Sequence, residues 1–196
     1  MTDARDLVEL NYRYLVLARE LGHTAPLQAE IWLGLAVEAS RRLGDLTLSQ
    51  VRDLTEQTGV LVFAAQFAPA FWQTVPLGIE EEDPVSGSHA AGLSERQHAA
   101  LFDLSYQYLI QGRELSRRDP LPAEIHLGIP ADVVPRLAGL SLTQLRQLAS
   151  QPGALRFKAR FGPRFWQALP TATVRGAEAL SVLRLRAALL AAAGDR

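Results

Sequence analysis

Leu10-Asn11-Tyr12-Arg13-Tyr14-Leu15 and, 94 positions further on, Leu104-Ser105-Tyr106-Gln107-Tyr108-Leu109 are two versions of one segment. Outward from them the match continues without a gap. From Leu7 on Leu101 to Pro76 on Pro170, 33 of 70 positions are identical, and a fixed internal period of this strength marks a duplication. Arg19-Glu20-Leu21 returns as Arg113-Glu114-Leu115, Glu30-Ile31 as Glu124-Ile125, Leu33-Gly34 as Leu127-Gly128 and Phe71-Trp72-Gln73 as Phe165-Trp166-Gln167. The 196 residues therefore divide into a first copy, 1–76, a joining segment, 77–93, a second copy, 94–170, and a tail, 171–196. Glu80-Glu81-Glu82-Asp83-Pro84 followed by Ser86-Gly87-Ser88 gives the joining segment the character of an exposed acidic linker. The tail, with Leu180, Leu183 and Leu190 among alanines, suits a final amphipathic helix.

Within each copy the pattern is mostly helical. Leu7, Leu10, Tyr14, Leu17 and Leu21 recur at helical spacing and predict a first helix from about Asp6 to Leu21. Pro26 opens a short second helix that Gly34 breaks, and Val37–Leu43 resumes the stripe. Thr47-Leu48-Ser49-Gln50 and Ser141-Leu142-Thr143-Gln144 each set a hydroxyl three residues before a glutamine, the capping-box spacing. The helices they start run to Gly59 and Gly153. Beyond those glycines, Leu61-Val62-Phe63-Ala64-Ala65-Gln66-Phe67 and Leu155-Arg156-Phe157-Lys158-Ala159-Arg160-Phe161 keep apolar residues at every odd position, the period of a strand. One short strand per copy is expected. The two either pair with each other or lie extended against helices, since an isolated strand is not stable.

Composition excludes several classes of chemistry. With no cysteine there is no disulfide, thiolate nucleophile or Cys-type zinc site. His23, His89, His98 and His126 are too far apart in sequence to pair as ligands on one helical face, so no metal is expected. No phosphate loop, GxGxxG turn or supported Ser-His-Asp set occurs, and no cofactor or enzymatic activity is expected. A charged start and the lack of a long apolar run point to a cytoplasmic protein without a membrane span. At net charge −1, any contact with nucleic acid is local rather than global.

The repeated segments resemble the FlhD family of flagellar transcriptional regulator subunits. The residues that carry the resemblance are Leu104-Ser105-Tyr106-Gln107-Tyr108-Leu109-Ile110, Leu127-Gly128-Ile129, Leu140-Ser141-Leu142-Thr143-Gln144-Leu145, Leu148 and Leu155–Phe161, with Leu10–Leu15 and Leu46–Gln50 in the first copy. The resemblance covers about 70 residues in each copy. It implies entwined helical subunits that join a zinc-binding FlhC partner at promoter DNA and recruit RNA polymerase. This chain would be such a dimer written as one polypeptide: two helical repeats in a pseudo-twofold arrangement, each with a short strand, plus the C-terminal helix. A homodimer of the tandem chain is compatible with that. The family pattern has one copy per chain and a different C-terminal part, so contacts made there do not carry over.

Charge is where the copies part. Residues 7–76 hold five basic and seven acidic residues, residues 101–170 nine and five, or −2 against +4. Most of the gain sits at Arg156, Lys158, Arg160 and Arg164, where the first copy has Val62, Ala64, Gln66 and Ala70. On a strand, positions 156, 158 and 160 share one face about 7 Å apart, close to the phosphate spacing along one nucleic-acid strand. A solvated strand face gives the same alternation; the resemblance tips the reading toward DNA. Val62 and Ala64 make the first copy's face apolar, suiting partner contact or simple burial. Trp32, which stands where the second copy has His126, is an interface anchor if exposed and a core residue if not. The class expected is thus a transcriptional co-activator with an FlhC-like partner. The alternative is a helical interaction module or antagonist that occupies such a partner without touching DNA.

Overall fold

The computed structural model describes residues 4–58, 60–68, 92–151, 153–167 and 169. In chain order the first copy forms α1 (Ala4–Thr24), α2 (Pro26–Leu33), α3 (Val37–Gly44), α4 (Leu48–Thr58) and β1 (Phe63–Phe67). The second forms α5 (Glu95–Arg118), α6 (Pro120–Leu127), α7 (Val134–Gly139), α8 (Leu142–Ser150), β2 (Leu155–Ala159) and α9 (Pro163–Gln167). Two helical repeats with a small sheet are what the self-match predicted. The expected linker, apart from Gly92 and Leu93, lies outside the described residues, as do Ala70, Phe71-Trp72 and the whole tail.

Element ends follow from local chemistry. α2 and α6 each begin on a proline and stop at Gly34 and Gly128, whose φ values of 61° and 71° are left-handed and favour glycine. Both capping boxes form: Gln50 N–H donates to Thr47 Oγ1 (3.2 Å) and Gln144 N–H to Ser141 Oγ (3.2 Å), while each glutamine side chain accepts from the cap's own N–H (2.8 Å). A third, Ser94 with Gln97, starts α5. In each tyrosine pair two residues apart, a helix can bury only one, and Tyr14 and Tyr108 are the buried members. Their hydroxyls donate to the last carbonyls of the short helices, Tyr14 to Leu33 O (2.7 Å) and Tyr108 to Leu127 O (3.1 Å). Arg19 and Arg113 likewise donate to the carbonyls of Leu46 and Leu140.

The strands pair as a two-stranded sheet. Arg160 N–H donates to Val62 O (2.9 Å) and Ala68 N–H to Ala154 O (3.0 Å), so the ladder is antiparallel. The chain folds as two compact units whose limits fall inside the strands. One takes Ala4–Phe63 with the described residues from Lys158 onward; the other takes Ala64–Phe157. Each unit is therefore completed by chain from the other copy.

In the unit built on the first copy's helices, α1 packs chiefly on α3, and α9 of the second copy packs on α3 as well. Tyr14 stacks on Phe63 with ring centroids 4.5 Å apart. Arg42 Nη1 donates to Gln167 O (3.0 Å), and Trp166 Nε1 to Phe161 O (2.8 Å). In the unit built on the second copy's helices, α5 packs chiefly on α7. There Tyr108 meets Phe157, 6.0 Å away, and Phe67 of the first copy, 6.5 Å away.

Candidate nucleic-acid interface

β2 buries Leu155 and Phe157 and exposes Arg156 and Lys158; Arg160, just past its end, is also exposed. The strand's period of two thus turns the three cations to one side and the apolar side chains to the other. Arg164, on α9, is exposed too. None of the four forms an ion pair or a side-chain hydrogen bond with a described residue. Their positive charge is therefore uncompensated locally, which is the electrostatic state that attracts a polyanion.

The same stretch of the first copy is built differently. Val62 is fully buried; its N–H donates to Asn11 Oδ1 (2.9 Å). Asn11 Nδ2 donates in turn to Val60 O (2.7 Å) and Thr58 Oγ1 (3.2 Å), so one buried amide fixes the chain just before β1. Ala64 is half-buried and Gln66 exposed. Trp32 is only 7% exposed, and its Nε1 donates to Gln28 Oε1 within α2 (3.1 Å). Of the three positions weighed for partner contact, Trp32 and Val62 are placed in the core and Ala64 at its edge.

The structure brings other apolar groups to the surface. Among the described residues the exposed large aliphatic side chains are Leu27, Ile31 and Leu48 in the first copy and Leu121, Ile125 and Leu142 in the second. These are three pairs of identical, equivalent residues. The sequence held a signal for them: Ala29 and Leu33 face inward on a short helix, which leaves positions 27 and 31 outward.

Two further features have no evident chemistry. A pocket of about 160 Å³ opens between α3 and α9, walled by Ala36, Ala39, Phe161, Pro163 and Trp166 and edged by the Glu38–Arg42 pair (3.4 Å). Burial raises the Tyr14 phenol well above its ordinary value of 10.0, a consequence of removing the phenolate from water. Among the described residues no group of three His, Asp or Glu side chains converges to hold a metal ion. No described helix is long and apolar enough to cross a membrane.

A duplicated helical framework and a two-stranded ladder shared between the copies define a mostly helical tandem-repeat protein. A family model described as flagellar transcriptional activator (FlhD) matches the chain twice, over residues 1–100 and 94–195, and the chain belongs to that family. Neither the curated proteins nor the solved structures gave a match.

Proposed function

We propose that the chain is a fused pair of FlhD-type subunits that acts in the cytoplasm with an FlhC-like zinc-binding partner at promoter DNA and, through that complex, on RNA polymerase. Arg156, Lys158, Arg160 and Arg164 carry the DNA contact. The observation behind this reading is the outward row on β2: cations two residues apart, exposed and without local counter-charge, in a member of a transcriptional activator family. Such a row neutralises phosphates, giving affinity and register while leaving base readout to the partner.

The test is charge reversal. The chain carrying Arg156→Glu, Lys158→Glu and Arg160→Glu is co-expressed with the partner, and binding of the complex to a promoter fragment is followed against salt. Loss of three phosphate contacts lowers the slope of log K on log salt by about 2.7. An unchanged affinity and slope would remove this face from DNA and leave the antagonist reading, which the exposed Leu and Ile pairs on α2 and α6 favour because they suit protein contact.

A further inference from the structure

α2 and α6 are more apolar than the long helices, and their apolar residues are not confined to one stripe. A helix of that composition is ordinarily covered on all sides. Here the inner side is covered, by Ala29 and Leu33 in α2 and by Ala123 and Leu127 in α6, while the outer side is bare. Leu27 is 66% and Ile31 49% exposed; Leu121 is 61% and Ile125 58% exposed. Each pair is four residues apart and forms one strip on its helix.

A carboxylate shares that strip, one turn beyond the leucine: Glu30 in α2, Glu124 in α6. Neither makes an ion pair or a side-chain hydrogen bond with a described residue. The sequence Leu-x-Ala-Glu-Ile thus occurs twice with its outer residues identical, once in each compact unit. Two strips pairing with each other across copies of the chain would set glutamate against glutamate, which is repulsive. A basic strip is complementary instead.

We propose that α2 and α6 are two equivalent docking faces for a partner's amphipathic helix whose apolar seam is flanked by Lys or Arg, so that one chain takes two such helices. The seam covers Leu27 and Ile31, or Leu121 and Ile125; the flanking cation meets Glu30 or Glu124. This deepens the reading above, because it rests on the chain working in a protein complex and says where and by what chemistry the partner holds.

Titration calorimetry on the full chain tests it, using an 18-residue synthetic helix with a leucine seam flanked by lysines, and a control with glutamates in their place. Two lysine peptides should bind per chain. Leu27→Asp with Ile31→Asp should remove one, and Leu121→Asp with Ile125→Asp the other. All four positions are exposed, so these variants should retain the parent melting temperature. Glu30→Lys with Glu124→Lys should weaken the lysine peptide by roughly twofold to fivefold at each face and favour the glutamate peptide. Absence of binding, equal binding of both peptides, or binding unmoved by the aspartates would overturn the proposal. So would self-association of the parent chain that the aspartates abolish.

Co-expression with the FlhC-like protein separates the two claims. A complex that forms with the parent and equally well with all four aspartates sinks the docking faces and keeps the partner. Peptide binding as expected, with no complex from the parent, keeps the faces and sinks that partner.

Discussion

The two copies share a framework but close their helix crossings by different means. In the first, α1 meets α3 at backbone distance: a Cβ on Gly22 would lie 1.9 Å from Ser40 O and 2.7 Å from its carbonyl carbon, and Gly44 sits against Gly22. In the second, the residue equivalent to Gly22 is Ser116, and the tight position has moved one helical turn back to Gly112. A Cβ there would press on the ends of Ile129 and Leu137, both at 2.9 Å, and meet Leu127 at ordinary contact distance, 3.9 Å. One crossing is backbone on backbone, the other backbone on flexible side-chain tips. Duplication therefore preserved which helices touch without preserving which atoms do.

Exchanging residues between the copies tests that difference most severely. Gly22→Ser, which installs the second copy's own residue, has no way to clear the Ser40 carbonyl without shifting a helix, and should cost about 3 kcal/mol or more. Gly112→Ala, which installs the first copy's Ala18, asks only two side-chain ends to rotate. The helix gains about 1 kcal/mol from losing a glycine, so its net effect should be near zero. Urea unfolding of both variants measures the contrast; similar losses in the two would mean that the crossings are alike.

Asn11 is the next largest asymmetry. It clamps Val60 and Val62 ahead of β1, whereas Ser105, its equivalent, has a side chain too short for the same three contacts. Asn11→Ala leaves a buried N–H and a carbonyl without their partner and should cost about 2 kcal/mol. Hydrogen exchange reads the effect locally: the Val62 amide should exchange at least about tenfold faster. Full protection in the variant would mean that packing alone holds the segment.

The tyrosines sharpen the comparison further, and pH is the variable. The Tyr14 phenol is held above 10.0 by burial, so above pH 10 the unfolded chain releases that proton while the folded chain keeps it. Stability is therefore complete below pH 10 and falls as pH rises beyond it, by up to about 1.4 kcal/mol per pH unit from this group. Tyr14→Phe should lose about 1 kcal/mol at neutral pH with the Leu33 hydrogen bond, yet show a shallower alkaline decline. Unfolding midpoints from pH 8 to 11 decide it; parallel declines would exclude Tyr14 as the titrating group.

How far the fold could be read in advance depended on whether the signal was periodic. The self-match, the capping boxes and the odd-numbered apolar residues of 155–161 are patterns along the chain, and they placed the start of β2 and most of the helices, although α1 runs three residues past the expected Leu21, α8 stops three short of Gly153 and α9 was not expected. The exchange of strand ends is not such a pattern. Phe67 and Phe157 are apolar in either arrangement; apolarity requires burial but does not say in which copy's core, and Phe67 reaches Tyr108 of the other copy. The cations at 156, 158 and 160 were legible for the same periodic reason. Trp32 was not, because one aromatic on a helix apolar on all sides has no polar face to fix its direction. Leu27 and Ile31 lie on that helix too, and only the short inward stripe of Ala29 and Leu33 points them outward.

Ser116 gives a smaller expected effect and the most specific one. It is buried on α5 at the position of Gly22, and its Oγ has no hydrogen-bond partner. If the second crossing rests on side-chain tips as described, the hydroxyl serves no contact there, and Ser116→Ala should stabilise the chain by about 0.5–1 kcal/mol, through relief of an unsatisfied polar atom and better helix propensity. The same Cβ at position 22 is forbidden, so opposite signs at equivalent positions would locate the divergence in the crossing itself. A loss of stability in Ser116→Ala would instead give the hydroxyl a bonding role, and the second crossing would then be held by a polar contact rather than by packing alone.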